Sequence, residues 1–307
     1  IFSRDFVADK VANKVAKMRP ALIAITLVLV LTASLAIPSV RAAAVNFLGL
    51  FRVQQIEVVE FNPANLPPDM ERGMTDIERV LSEDLVISDR GEPVEVSDAA
   101  EASELAGFPV VLPKGVKGEK RITYQLAVQA SFEVNLELWN GLLADIGRSD
   151  IELPKALDGQ TITFDLPNSV TFAAGTCALD VEEAQGILYH QRTCTMLIQM
   201  PSPTIDAPPG LPIDQVGEAF LQIFGMSPEE AARFSERVDW ATTLVIPVPQ
   251  GAEYADVTVN GVPGTLFERA YGENGEYTLM WIKNGIFYAL SGEGDARDAL
   301  ELANSLK

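Results

Sequence analysis

The sequence contains very little histidine, and this scarcity excludes several kinds of active site. His190 is the only histidine among the 307 residues, so a histidine-based zinc site or a Ser-His-Asp triad would depend on it alone. The chain also lacks a Gly-x-Ser-x-Gly elbow, a phosphate-binding loop and a dinucleotide-binding fingerprint. We therefore predict no catalytic residues, no cofactor and no metal site, and we expect a protein that is not an enzyme.

Positive charge is scarce after residue 50. Residues 1–50 contain six basic and two acidic residues, a net charge of +4, which leaves −24 for the remainder because the whole chain carries −20. Such an acidic body repels phosphates, so nucleic-acid binding is not expected. The acidic residues also lack the spacing of a calcium-binding loop. We interpret the groups that come closest to one as solvated surface charge: Asp180, Glu182, Glu183, Glu273 and Glu276.

One long apolar run stands out in this acidic chain. Residues 21–37 contain no charged side chain, and the apolar character extends through Val40. About 20 residues at 1.5 Å per residue cross the hydrocarbon core of a bilayer, so we predict a transmembrane helix over residues 21–40. Basic residues that precede a span stay in the cytoplasm. The N-terminus is therefore predicted on the cytoplasmic side of the cell membrane and the acidic body on the other side. The reason is that four basic residues lie just before the span: Lys10, Lys14, Lys17 and Arg19.

Residues 1–20 are predicted to form a basic amphipathic tail on the inner membrane surface. Apolar residues recur there at helical spacing, at Phe6, Val7, Val11 and Val15. The alternative to a membrane anchor is a cleaved secretory signal, since Ala42, Ala43 and Ala44 are small residues after an apolar run. Arg41, directly before them, disfavours cleavage. Both alternatives place the acidic body outside the cytoplasm.

The two cysteines suit that placement, because disulfides persist in exported proteins and are rare in the cytosol. We predict a bond between Cys177 and Cys194, worth about 3 kcal/mol for a loop of this size. The alternative is two free buried thiols. His190 lies between the cysteines and is interpreted as a surface residue of a hairpin.

The first part of the outer domain, residues 51–200, is predicted to mix strands and helices. A strand over residues 51–61 precedes helices over residues 67–81 and 97–106, the second with Ser97 as its N-cap. Another helix begins after Asn135 and ends at Gly147. Alternation of apolar and β-branched residues predicts further strands over residues 121–134, 160–165, 169–177 and 191–200.

The second part, residues 213–307, follows a segment with five prolines between residues 201 and 212. Helices are predicted over residues 213–224 and from Ser227, which starts a Ser-Pro-Glu-Glu sequence typical of a capping box. A strand over residues 243–248 begins an antiparallel meander with hairpin turns at Asn260-Gly261 and Asn284-Gly285. Asp295 caps a last helix.

Groups of helices between runs of antiparallel strands predict an α+β fold, in which a curved antiparallel sheet carries helices on one face. The last strands and the last helix are expected to form an essential part of the core. The side chains expected to be buried together there are Leu279, Trp281, Phe287, Ala289, Leu300, Ala303 and Leu306.

The sequence from Leu279 to Tyr288 (LMWIKNGIFY), followed by Ala299 to Leu306 (ALELANSL), resembles a recurring carboxy-terminal domain. That family is mostly uncharacterised and occurs outside the membrane in bacterial proteins related to anti-sigma factors and sporulation-associated membrane proteins. The segment from Ser97 to Pro113 and the passage from the span into Phe51 are similar to the same family. The resemblance implies a curved sheet like that of periplasmic lipoprotein carriers and of sensors that bind anti-sigma factors.

Two functions compete on this basis. The first is a membrane-anchored interaction or sensor protein, related to anti-sigma regulators, that binds a protein partner or a small apolar ligand. The second is a structural accessory subunit of a bacterial membrane complex. An enzyme that uses carboxylates on cell-wall glycans is the third alternative. Residues 1–20 contain no zinc-binding segment of the kind that anti-sigma factors usually carry.

Overall fold

A computed structural model describes residues 51–67, 75, 85–88, 91–177, 193–208, 210–269 and 275–306, and residues 51–307 form one compact unit. The predicted tail at residues 1–20, the predicted span at residues 21–40, most of the predicted helix at residues 67–81 and His190 lie outside the described residues. Among the helices that are described, none is both long and apolar enough to cross a membrane.

The described residues contain fifteen strands and five α-helices. The strands are β1 (Phe51–Arg52), β2 (Gln55–Phe61), β3 (Val86–Ile87), β4 (Val94–Val96), β5 (Lys120–Gln125), β6 (Val128–Glu133), β7 (Thr161–Leu166), β8 (Ser169–Thr176), β9 (Thr193–Pro201), β10 (Thr204–Asp206), β11 (Thr243–Pro249), β12 (Glu253–Val259), β13 (Val262–Arg269), β14 (Glu276–Lys283) and β15 (Ile286–Glu293). The helices are α1 (Ala99–Ala106), α2 (Leu136–Asp145), α3 (Ile213–Ile223), α4 (Pro228–Ser235) and α5 (Ala296–Asn304).

Eight strands form the larger sheet, in the order β12-β13-β14-β15-β9-β8-β5-β4, and all neighbours are antiparallel. Side chains alternate between the two faces of a strand, and the register places Leu197, Leu279 and Leu290 on the same face. All three are fully buried, and α1 and α5 cover them with alanines that are also buried. The prediction of an α+β fold with helices on one face of an antiparallel sheet is confirmed.

Both predicted hairpins are present in this sheet. Asn260 and Gly261 join β12 to β13, and Asn284 and Gly285 join β14 to β15. Asn260 has φ 48° and Asn284 has φ 54°, in the left-handed region that this turn requires. The short-range signal therefore predicts the register within each of these two strand pairs.

The predicted single strand over residues 121–134 is wrong, because the chain bends within it. Residues 120–125 form β5 in the larger sheet, whereas residues 128–133 form β6 in a second, five-stranded sheet of order β1-β10-β7-β6-β3. Asn168 stabilises the bend, since its side-chain oxygen accepts a hydrogen bond from the Ala127 N–H at 2.8 Å. Helices α2 and α3 cover the apolar face of this second sheet, with Trp139 and Val216 in its cluster.

The strand predicted over residues 243–248 does not begin the meander, which corrects the sequence-based topology. As β11 it pairs in parallel with β2, from Thr243 opposite Gln55 to Pro249 opposite Phe61. Val59 of β2 is buried against Leu221 of α3 and Phe234 of α4. The pair therefore forms a separate small layer beneath these two helices.

Local capping signals predicted most of the helix starts. The Ser227 hydroxyl and the Glu230 carboxylate form both hydrogen bonds of a capping box. The Ser227 N–H, and with it the Ser227 hydroxyl, donates to the Glu230 carboxylate and holds the pKa of Glu230 below its usual range. Asn135 and Asp295 cap α2 and α5 as predicted. The N-cap of α1 is Asp98 and not Ser97, whose hydroxyl instead donates to the Glu101 carboxylate at 2.7 Å. An ionised carboxylate is the stronger acceptor for the first helical N–H groups.

The predicted disulfide between Cys177 and Cys194 is confirmed. It lies at one end of the β8–β9 pair, where Cys194 is opposite Gly175. With both sulfurs used, the described residues contain no free thiol.

Candidate binding site

The larger sheet has a second face, opposite the one that α1 and α5 cover. Residues two apart share a face, so this face carries the side chains between the buried ones of β9, β14 and β15. The register aligns Ile198 with Ala289 and Ala289 with Met280, which makes one row across three strands. We call the following residues the methionine-rich face: Met196, Ile198, Met200, Met280, Ile282, Phe287 and Ala289.

These apolar side chains are only half-buried, in contrast to their neighbours on the helix-covered face. Leu197 and Leu290 have no exposed surface, whereas Ile198 and Ala289 beside them keep contact with solvent. No member of the methionine-rich face belongs to the apolar core clusters of the described residues or packs against them. The face is therefore apolar surface that the core does not use.

The predicted position of two residues of this face is wrong. Phe287 and Ala289 were expected to lie beneath the last helix with Leu279 and Trp281. The register places Tyr288 opposite Trp281 and Leu290 opposite Leu279, so Phe287 and Ala289 point to the other side of the sheet. The stacked rings of Trp281 and Tyr288, 5.0 Å apart, fill the core position instead.

A second apolar surface belongs to β2 and β11. Val59 and Phe61 of β2 point toward the helices, since Val59 packs against α3 and α4 and the Phe61 ring lies 5.5 Å from that of Phe224. Alternation places Ile56 and Val58 on the opposite side. Parallel pairing puts two residues of β11 beside them, and we call the four half-buried residues the facing pair: Ile56, Val58, Leu244 and Ile246.

The facing pair lies over the methionine-rich face. Strand β2 contacts β14, whose two edges are occupied by β13 and β15 and whose other face is covered by α5. In addition, the Tyr254 hydroxyl of β12 donates a hydrogen bond to the Glu60 carboxylate of β2 at 3.1 Å. Glu60 shares the side of Ile56 and Val58. Two half-buried apolar surfaces thus oppose each other.

Three carboxylates lie near the Tyr254 hydroxyl, where β2 meets β12. Partial burial raises the pKa of Tyr254 above its ordinary value, and the bond to Glu60 and the charges of Asp256 and Glu57 raise it further. None of these three acidic residues has an ion-pair partner among the described residues. The rim of the site is therefore acidic where its interior is apolar.

Ser202 lies directly after β9, at the end of the methionine-rich face. Its N–H donates to the Gly285 carbonyl and continues the β9–β15 register, which puts its side chain on the side of Met200. The hydroxyl is fully buried and has no hydrogen-bond partner within the described part of the chain. It therefore offers no exposed polar contact to a bound molecule.

The described part of the chain brings together no group of three or more His, Cys, Asp or Glu that could hold a metal ion. Of the acidic residues considered in the sequence, Glu276 lies on β14, and Asp180, Glu182, Glu183 and Glu273 lie outside the described residues. Sequence reasoning missed the methionine-rich face. The available signal was that β9 and β14 are apolar at consecutive positions, as in Met196-Leu197-Ile198 and Met280-Trp281-Ile282, which is typical of strands that are covered on both faces.

Residues 248–306 match the family model described as Domain of unknown function (DUF4367). The matched region comprises β12 to β15 and α5, so it contributes Met280, Ile282, Phe287 and Ala289 to the site, while β9 lies outside it. No curated protein and no solved structure matches the chain. The predicted resemblance to an uncharacterised carboxy-terminal domain is confirmed for these residues, and the association with anti-sigma factors stays a prediction.

Proposed function

We propose that the chain is a single-pass protein of the cell membrane, with a cytoplasmic N-terminus and residues 51–307 outside, that acts as an interaction or sensor protein in the manner of an anti-sigma regulator. The apolar run at residues 21–40 behind a basic flank supports the anchor. The disulfide and the −24 charge of the outer part support its position outside the cytoplasm.

The observation that carries the binding role is the pair of half-buried apolar surfaces around β2 and β14. Each of these side chains keeps part of its apolar surface in contact with water, which costs roughly 25 cal/mol per Å². Among the described residues, no core cluster includes a member of the methionine-rich face. Its proposed use is to hold an apolar ligand against the facing pair.

Binding of an apolar fluorescent dye tests this role on residues 51–307, which hold all four described core clusters and so have a core of their own. Met280→Glu places a charge in the middle of the face without a partner, and we expect it to weaken dye binding at least about tenfold, or 1.4 kcal/mol. Ala289→Phe adds a large uncharged side chain beside Met280 and should also weaken dye binding, because it occupies the space that the dye would take. Titration of the dye by fluorescence gives each dissociation constant.

Thr258→Glu is the matched control, because Thr258 is an exposed strand residue of the same sheet and the net charge changes equally. It should leave dye binding within about twofold. Circular dichroism on all variants separates lost binding from lost folding. Equal dye affinity in folded Met280→Glu, folded Ala289→Phe and the parent would show that the face is not the binding site.

The topology is tested in intact cells. A protease added from outside is expected to remove residues 51–307 and to leave a small fragment in the membrane that carries the N-terminus. The basic flank before residue 21 is the physical reason, because it stays on the cytoplasmic side. Immunoblotting with an N-terminal tag detects the fragment. Complete protection of the outer part in cells, with digestion after lysis, would contradict this orientation.

A structural accessory subunit is the alternative, and exposed apolar side chains favour it. Four of them lie on the edge strands β3 and β4 and at the bend between β5 and β6, one lies in α1 and one ends β7, and a partner protein could cover them. Crosslinking in intact membranes distinguishes the two, since an accessory subunit is recovered with one partner in fixed ratio. The side chains are Val86, Ile87, Val94, Leu105, Leu126 and Leu166, of which Val86 is 69% exposed.

A further inference from the structure

Strand β12 forms one edge of the larger sheet and is long enough to pair with a further strand. It contains seven residues, whereas β4 at the opposite edge contains three, and β1 and β3 at the edges of the second sheet contain two each. Strand β2 is equally long, but it lies over β14 within the molecule. Among the described strands, β12 is therefore a long sheet edge at the periphery.

Proline closes the open edge of β11, which is the other long strand at an edge. The Gln250 N–H bonds to the Phe61 carbonyl of β2, and backbone groups point alternately to the two sides of a strand. Pro247 and Pro249 therefore occupy the outer positions of β11. Proline has no N–H and does not donate to an added strand. Strand β12 contains no proline.

Three residues of β12 direct their backbone groups away from the sheet. Val259 and Val262 flank the two-residue turn as a hydrogen-bonded pair, and bonded pairs alternate along antiparallel strands. The N–H and C=O groups of Tyr254, Asp256 and Thr258 therefore point to the open edge. Within the described part of the chain, these groups have no backbone partner. They are available to an extended peptide that adds a strand.

Exposed side chains on both faces of β12 leave this edge accessible. Glu253 and Ala255 lie on the side of α5, Asp256 and Thr258 lie on the opposite side, and all four are exposed. A strand covered by another layer would be buried on at least one face. In the neighbouring β13, by contrast, Leu266 opposite Ala255 has no exposed surface. Residues 253–258 thus lie at the periphery of the packed sheet.

The charge of the edge determines which strand suits it. Glu253 and Asp256 have no ion-pair partner among the described residues, and Glu60 adds a carboxylate beside Tyr254. A second copy of the chain is disfavoured, because two outer parts of charge −24 repel each other. Pairing of two copies centred on Asp256 would also bring two carboxylates directly opposite each other. A strand that carries lysine or arginine at these positions is favoured instead.

We propose that β12 binds an extended, positively charged segment of a protein partner, which adds an antiparallel strand to the larger sheet. Antiparallel pairing matches every neighbour in this sheet. Basic residues of the segment lie opposite Asp256 and Glu253, and an aromatic residue lies opposite Tyr254. The apolar ligand proposed above is not needed for this interaction, because backbone groups and carboxylates hold the segment.

A labelled, capped peptide of sequence Val-Thr-Val-Lys-Val-Tyr-Lys tests the inference by fluorescence anisotropy with residues 51–307. When its second residue lies opposite Thr258, its two lysines lie opposite Asp256 and Glu253. N-methylation of the second and fourth residues removes N–H groups that face β12 and should weaken binding at least about tenfold. N-methylation of the third and fifth residues is the matched control, which should weaken binding no more than about threefold, because those groups face away.

A substitution in β12 tests the same contact from the protein side. Thr258→Pro removes one outward N–H and leaves the bonds to β13 in place, so it should weaken binding of the peptide at least about fivefold. Thr258→Ala keeps that N–H and should change the affinity no more than about twofold. Circular dichroism of both variants shows whether they remain folded.

Charge reversal tests the predicted chemistry of the segment. A peptide with glutamate in place of both lysines should bind the parent at least about tenfold more weakly at low salt, and added salt should narrow the difference. The double variant Glu253→Lys, Asp256→Lys should reverse this preference and bind the acidic peptide more tightly than the basic one.

Four outcomes would overturn the inference. They are no binding of the basic peptide at roughly millimolar concentration, equal losses from the two N-methylation patterns, equal affinity of the parent for the acidic and the basic peptide, and a dimer of residues 51–307 that Thr258→Pro dissociates. The last outcome would identify a second copy of the chain as the occupant of the edge, and sedimentation velocity measures it.

Discussion

Removal of residues 295–307 is expected to abolish cooperative folding of the outer unit. These residues contain α5, in which Ala299 and Ala303 are fully buried against the larger sheet and Leu300 packs beside them. The helix also accepts a hydrogen bond from the Asn260 side chain at the Ala303 carbonyl, 3.1 Å away. Its loss exposes core residues worth about 1.5–3 kcal/mol each, against a total stability of about 5–15 kcal/mol.

Urea unfolding of residues 51–294 and 51–307, followed by circular dichroism, measures this effect. Glu301→Ala is the control within the same helix, because Glu301 is exposed and its replacement should change stability by no more than about 0.5 kcal/mol. A truncated protein that stayed soluble and unfolded cooperatively at the parent midpoint would show that α5 does not complete the core.

Gln199→Leu is expected to destabilise the unit by roughly 2–6 kcal/mol, although leucine suits a buried site in size and polarity. Gln199 is fully buried on the helix-covered face. Its amide accepts a hydrogen bond from the Val111 N–H at 3.0 Å and donates one to the Val111 carbonyl at 2.9 Å. Leucine leaves both backbone groups unpaired, and each buried orphan costs about 1–3 kcal/mol.

Urea denaturation also measures the free energy of unfolding of Gln199→Leu. Gln129→Leu is the matched control, since Gln129 is an exposed strand residue whose side chain donates a hydrogen bond to Asp165 at the surface. That change should be worth no more than about 1 kcal/mol. Similar losses in both variants would mean that the bonds to Val111 contribute nothing particular to the fold.

Short-range chemistry explains which parts of the fold could be predicted. Asparagine followed by glycine tolerates the left-handed backbone at Asn260 and Asn284, so both hairpins and their registers were correct. The capping box at Ser227 likewise depends only on residues three apart. Such signals are complete within a few residues of sequence and need no knowledge of the rest of the chain.

Errors arose where distant residues decide the structure. The strand predicted over residues 121–134 is divided because Asn168, about 40 positions away, stabilises a bend at Ala127. Strand β11 was placed in the meander because its alternating pattern does not reveal a parallel partner in β2. A single strand pattern specifies two faces, but it does not specify which neighbour each edge will take.

The candidate site was missed for a related reason. Alternation identifies one buried face of a strand, and the expectation that Phe287 lies beneath α5 assumed that every apolar residue of β15 serves the core. The sign of a second apolar face in the sequence is a run of consecutive apolar residues, as in Met196-Leu197-Ile198, and such a run does not tell which strands lie side by side. Only the register of β9, β14 and β15 shows that Ile198, Ala289 and Met280 meet in one row.

The parallel pair of β2 and β11 also has a consequence for how the protein is made. The Gln55 side chain donates to the Thr243 hydroxyl at 2.8 Å across 188 positions of sequence. During synthesis β2 therefore leaves the ribosome long before its partner exists, and contacts of such high sequence separation form slowly. Ile56 and Val58 therefore stay without their β11 partners until residues 243–249 have been made, whereas β14 and β15 of the methionine-rich face follow β11 in the chain.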